Sequence, residues 1–158
     1  MNSNVEETRN LMLQLLKVTQ RKTRLALFSI NPERVVFNNN PIWRVRDVIG
    51  HIGVWNGEAA RSIRAYANGI EYHCIESEAQ YDEYNGFAVE ERRTWIIDQI
   101  WAEYEASYNQ LKTLVESMPV KKWNGEMLYP WNVSGTARNL IEVMMKHEVE
   151  HREIIIVG

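Results

Sequence analysis

The sequence predicts an all-α fold: a four-helix bundle with a long crossover between its second and third helices. Three observations predict it. Apolar residues recur three and four apart through four stretches of roughly 20 residues or more. Proline is rare, four in 158 residues, and each one falls between those stretches. Turn-forming pairs such as Asn31-Pro32, Asn68-Gly69 and Asn124-Gly125 punctuate the gaps. Four amphipathic helices bury their stripes most simply against one another.

The first helix is expected over 4–29. Ser3 and Glu6 have the spacing of a capping box, and Leu11, Leu15, Val18 and Leu25 form its predicted inward stripe. Asn31-Pro32 ends it, because a residue before proline disfavours helix. The second helix is expected over 45–67. Gly50, Gly53 and Gly57 each cost it about 1 kcal/mol relative to alanine, but small residues also let a neighbouring helix approach. Asn68-Gly69 closes it. The polar segment 70–90 is too long for a tight turn and reads as a crossover with a short helical piece. The third helix is expected over 91–118 on the rhythm of Trp101, Tyr104, Tyr108, Leu111, Val115 and Met118, and Pro119 stops it. The linker 119–134 is turn-like. The fourth helix is expected over 135–156 with Ser134 as its cap.

Composition bounds the function. A chain of 158 residues, 45% hydrophobic and 25% charged, fits one globular domain over 1–158. A net charge of −3 gives no electrostatic case for nucleic acid. No apolar run reaches the roughly 18–20 residues that span a bilayer. The first residues lack a signal-peptide layout, so a cytoplasmic protein without membrane partners is expected. Cys74 is the single cysteine, which excludes an internal disulfide and a CxxC redox pair. A buried, inert thiol is its expected role.

The chemistry concentrates in "KHEVEHREII" at 146–155. His147 and His151 stand one helical turn apart, about 40° round the helix, so both can reach one ion. They share a broad face with Leu140, Met144 and Ile154, which points them inward. Bare imidazoles in a core are costly. His51 on the second helix is the third candidate. It lies about as far from the start of its helix as His151 lies from the end of the fourth, so antiparallel neighbours bring them level. Three histidines leave a zinc or nickel ion with an open position for water or substrate. The competing reading is a hydrogen-bonded core pair with glutamate partners. Trp55 and Glu58 are candidates to line the approach, and Glu148, about 60° from His151, is a candidate to orient an imidazole. His73 is a weaker fourth ligand candidate. Trp43 is placed to staple the entrance of the second helix, with Trp55, Trp101 and Trp131 as core or pocket wall.

Three stretches resemble the DinB-like (DinB/YfiT) superfamily: "WRVRDVIGHIGVWNGEA" with His51, "DEYNGFAVEERR" with Asn85, and "GTARNLIEVMMKHEVEHREII" with His147 and His151. The first two look especially like the branch of colibactin self-resistance and damage-inducible DinB-like proteins. The resemblance covers most of the chain. It implies a divalent metal, nickel or zinc, on His51, His147 and His151, the same set that faces and heights propose. It also implies detoxification or stress-response chemistry: a low-molecular-weight thiol is transferred to a small electrophilic substrate. A homodimer is implied too. A metal-dependent hydrolase and a non-catalytic metal-binding protein are the alternatives, and no residue decides whether the protein is an enzyme.

Overall fold

The computed structural model describes residues 2–158. Four long helices form the bundle: α1 (Asn2–Leu27), α2 (Val45–Ala67), α4 (Ile97–Ser117) and α6 (Ala137–Val157). They close a ring, α1 on α6, α6 on α2, α2 on α4 and α4 on α1. The all-α bundle with its long crossover is therefore as the sequence predicts.

The ends are set by local chemistry. The Asp47 side chain accepts from the Arg44 backbone N–H at 2.8 Å and fixes the start of α2. Asn68 caps its end, and Gly69 follows at φ +75°, a conformation glycine adopts without strain. Met118 is extended before Pro119, which ends α4. α2 packs on α4, and of the three α2 glycines Gly53 makes the closest approach. A Cβ there would stand 3.1 Å from the Tyr104 backbone, so the expected close approach is real at this glycine.

Other boundaries differ from expectation. The segment 91–118 is not one helix. Tyr81–Glu91 forms a separate helix, α3, after a 3-10 turn at Glu78–Gln80, and α4 begins only at Ile97. The fourth bundle helix is capped not by Ser134 but by Thr136, whose hydroxyl accepts from the Asn139 N–H at 3.2 Å. Ser3 lies inside α1 rather than capping it. Two small antiparallel hairpins were unforeseen: β1 (Val35–Phe37) with β2 (Trp43–Arg44), and β3 (Glu126–Leu128) with β4 (Ser134–Thr136). A single turn of helix, α5 (Val120–Trp123), sits before β3.

The stripe on α1 is also corrected. Leu11, Leu15, Val18 and Leu25 are 50%, 40%, 48% and 72% exposed. Met12, Leu13, Leu16 and Leu27 face the core instead. Both sets recur at helical spacing, so periodicity alone could not tell the inner face from the outer. Alanine at Leu16 is expected to cost about 2–5 kcal/mol, and alanine at Leu25 under about 0.5 kcal/mol. Chemical denaturation of the two variants checks this, and equal losses would contradict the assignment of faces.

Candidate metal centre

His51 comes from the second turn of α2, and His147 and His151 from consecutive turns of α6. Contact between the two helices brings the three rings together. The ring centroids are 4.9 Å apart for His51–His147, 4.7 Å for His51–His151 and 4.4 Å for His147–His151. One nitrogen from each lies within 4.8 Å of the others, and the Nε2 atoms of His51 and His147 are 2.9 Å apart. Nitrogens bound at about 2.0–2.1 Å to one ion stand at comparable separations. Three-histidine convergence capable of holding a metal is therefore present.

The electrostatics suit ligands. Burial, then the neighbouring charges of His147 and His151, hold the His51 pKa well below the ordinary value. Burial and His151 bring His147 down to about 3. Burial also lowers His151, with Glu150 opposing. Neutral imidazoles offer lone pairs to a cation without first shedding a proton. The Nδ1 atoms of His147 and His151 are buried with no protein partner. Glutamates do not satisfy this pair, which weighs against the hydrogen-bonded core reading.

The same shifts predict a pH dependence for the metal-free protein. Its folded histidine pKa values lie below the unfolded value of about 6.5, so the unfolded chain takes up protons that the folded protein does not. Stability is full above about 6.5 and falls as pH drops toward the folded values, at up to about 1.4 kcal/mol per pH unit for each histidine. Thermal melts between about pH 7.5 and 5 should show this fall, shallower in His147→Ala. Identical profiles for the two proteins would contradict it.

The histidines form one end of a cavity of about 720 Å³. α2 adds Trp55, α3 adds Tyr81, Asp82 and Asn85, and α6 adds Val143 and Met144. The first hairpin brings Phe37 and Trp43 from its strands and Asn39 and Asn40 from its loop, and the second brings Trp131. Trp43 meets His51 edge-on at 5.2 Å. The Trp55 indole N–H donates to Asn85 Oδ1 at 2.8 Å, which ties α3 to α2. Trp131 is set by a turn in which Asn132 takes φ 61°, a conformation asparagine tolerates. Pro130, just before it, accepts the Cys74 N–H at 2.8 Å, which moors the turn to the crossover.

The other candidates divide. Trp55 lines the cavity. Glu58 does not: it is buried seven residues, about 10 Å, along α2 from His51, where it accepts from Tyr72 at 2.5 Å, Tyr84 at 2.9 Å and Arg61 at 3.2 Å. It borders a second cavity of about 610 Å³ between α2, α3 and α4. Glu148 is buried and accepts the Tyr104 hydroxyl, so it neither orients an imidazole nor faces solvent. His73 pairs with Glu76 at 3.0 Å, outside the triad. Cys74 is half-buried and donates to the Pro130 carbonyl. Burial and Glu58 push its thiol up to about 12, so it is inert as a nucleophile. Phe37, Asn39 and Asn40 were not anticipated. The "NNNP" run marks a loop but carries no sign of where the loop lies.

A family model described as the DinB superfamily matches residues 5–155. Among solved structures, an uncharacterised protein from Escherichia coli UTI89 is similar at 15% identity and TM-score 0.76, over 93% of this chain and 90% of that one. A mycothiol-dependent maleylpyruvate isomerase is similar at 16% identity and TM-score 0.72, over 92% of this chain. A histidine-to-alanine mutant of a protein with the same description gives TM-score 0.73 at 16% identity. The chain spans 59% of the isomerase's length, so the likeness concerns part of that protein. At these identities the likeness is one of fold. No curated protein matches the sequence.

Proposed function

The chain belongs to the DinB superfamily, and from that premise we propose that it is a metal-dependent transferase. On this reading it joins a low-molecular-weight thiol to an electrophilic small molecule. The observation that carries the reading is the convergence of His51, His147 and His151 at one end of an aromatic-walled cavity. A volume of about 720 Å³ falls in the range of small-molecule sites. The thiol dependence draws on the partial likeness to the isomerase.

His51, His147 and His151 would hold nickel or zinc, both of which suit imidazole. When bound, the ion would lower the pKa of a coordinated thiol or water. The chain's own part is positioning. Trp55, fixed by Asn85, and Trp131, fixed by its moored turn, offer flat faces to the substrate and keep water from it. Among the described residues no carboxylate is hydrogen-bonded to the three histidines, and Asp82 is the carboxylate that lines the cavity. A panel of thiols against soluble electrophiles, with and without zinc or nickel, tests this. Metal-dependent adduct formation that His151→Ala loses is expected. Adducts forming equally in both proteins would contradict the reading.

A homodimer through α1 fits the exposed stripe. In an antiparallel pair with the two-fold axis between Gln14 and Leu15, Leu11 meets Val18 and the exposed Glu7 meets the exposed Lys22 of the copy. Light scattering should give a dimer. It should become a monomer with Leu11→Glu, weaken with Glu7→Lys, and recover when Lys22→Glu is added. A wild-type monomer at high concentration would contradict it.

A further inference from the structure

Sixteen residues line the histidine cavity, and none is lysine or arginine, although the chain carries 18 of the two. Apart from the histidines and Tyr81, the one ionisable side chain is Asp82, an exposed acid at the rim. Five aromatic rings make up much of the wall. Trp55 packs against Tyr81 at 5.4 Å and Trp131 at 6.2 Å, giving one continuous surface. Ring faces are electron-rich: they attract cations and flat π-systems and give nothing to an anion. Asn39, Asn40 and Asn85 add neutral amides, the last with its oxygen accepting from Trp55, and none of them carries a charge to balance an anion's. A negative group placed here, away from the histidine end, would lose its hydration and meet no cation.

We propose that this cavity selects an uncharged or cationic ligand with a flat aromatic or apolar body, and rejects one carrying a carboxylate, sulfonate or phosphate beyond the histidine end. The proposal rests on the reading of this cavity as the substrate site, and it does not require the metal. It narrows the electrophile to a neutral or positively charged aromatic or apolar compound. It also favours a thiol without carboxylates over one that carries them.

The test uses three flat probes of similar size, 2-naphthamide, 2-naphthoate and N-methylquinolinium, on the full chain freed of metal by chelation. The indole N–H resonances of Trp43, Trp55 and Trp131 report occupancy in a nitrogen–proton spectrum. The amide and the cation should bind at least about tenfold tighter than the carboxylate, with those indole signals shifting. Asp82→Lys should shrink the difference to under about threefold, by weakening the cation and admitting the carboxylate. Equal affinity for naphthoate and naphthamide would overturn the proposal. So would the absence of binding by the neutral and cationic probes at millimolar concentration. A parallel zinc titration separates the two readings. Charge selection in a protein that takes up no zinc keeps this inference and ends the metal reading. Zinc uptake by a protein that does not discriminate the probes does the reverse.

Discussion

Replacing His147 by alanine is expected to lower affinity for nickel or zinc more than about a hundredfold while leaving a folded helical protein. Losing only a hydrogen-bond partner of a metal ligand costs about 10–100-fold, and losing the ligand itself should cost more. The Nε2 atoms of His147 and His51 are 2.9 Å apart. Without His147 the remaining two imidazoles give a site too open for tight binding. The fold should survive, because Leu140, Ile141 and Met144 of the same helix stay packed in the core. Competition with a chromophoric chelator measures the affinity, and far-ultraviolet circular dichroism checks the helix. Wild-type affinity in a folded variant would remove His147 from the site.

The second large effect is expected beneath the triad. Glu148, the residue after His147, is buried, and its recorded side-chain partner is the Tyr104 hydroxyl from α4. Burial and that carboxylate push the Tyr104 pKa far up, so the phenol keeps its proton and remains the donor. Tyr104→Phe leaves Glu148 without this hydrogen bond in a dry core. The expected cost is about 2–3 kcal/mol, or about 4–12 °C in Tm for a chain of this size. Adding Glu148→Leu to Tyr104→Phe should recover part of it, since an apolar pair needs no donor. Because the bond anchors the turn of α6 that carries His147, metal affinity should weaken as well, though by less than in the His147 variant. Thermal melts of the two variants decide it. A Tyr104→Phe protein as stable as wild type would show that the pair contributes little.

Much of this was legible in the sequence, for physical reasons that differ by residue. α2 was expected over 45–67 and spans Val45–Ala67, because Asn68-Gly69 leaves little freedom about where a helix stops. The triad was legible because i, i+4 spacing fixes two rings on one helix and matched heights bring in a third from its neighbour. Faces were harder. α1 carries apolar residues on two sides, and only its neighbours decide that Met12 and Leu16 turn inward and Leu11 and Val18 outward. Glu148 looked like a histidine partner from angle alone. Its true partner, Tyr104, lies 44 residues away on another helix, and no local pattern reveals such a pairing. Glu58 shares the His51 face of α2 by angle, but seven residues, about 10 Å, separate the two along the helix, and at that height its partners are Tyr72 and Tyr84. The break between α3 and α4 at 92–96 was hidden because "RRTWI" contains neither proline nor glycine. The hairpins that wall the cavity are two or three residues per strand, too short for alternation to register.

The most direct test of the central claim is elemental analysis of the purified protein, untagged so that no added histidines compete, with His51→Ala alongside. The account predicts one nickel or zinc per chain in the wild type and its loss in the variant. No metal in the wild type, even after soaking with either ion and removing the excess, would contradict it. His51, His147 and His151 would then be packing residues of the bundle.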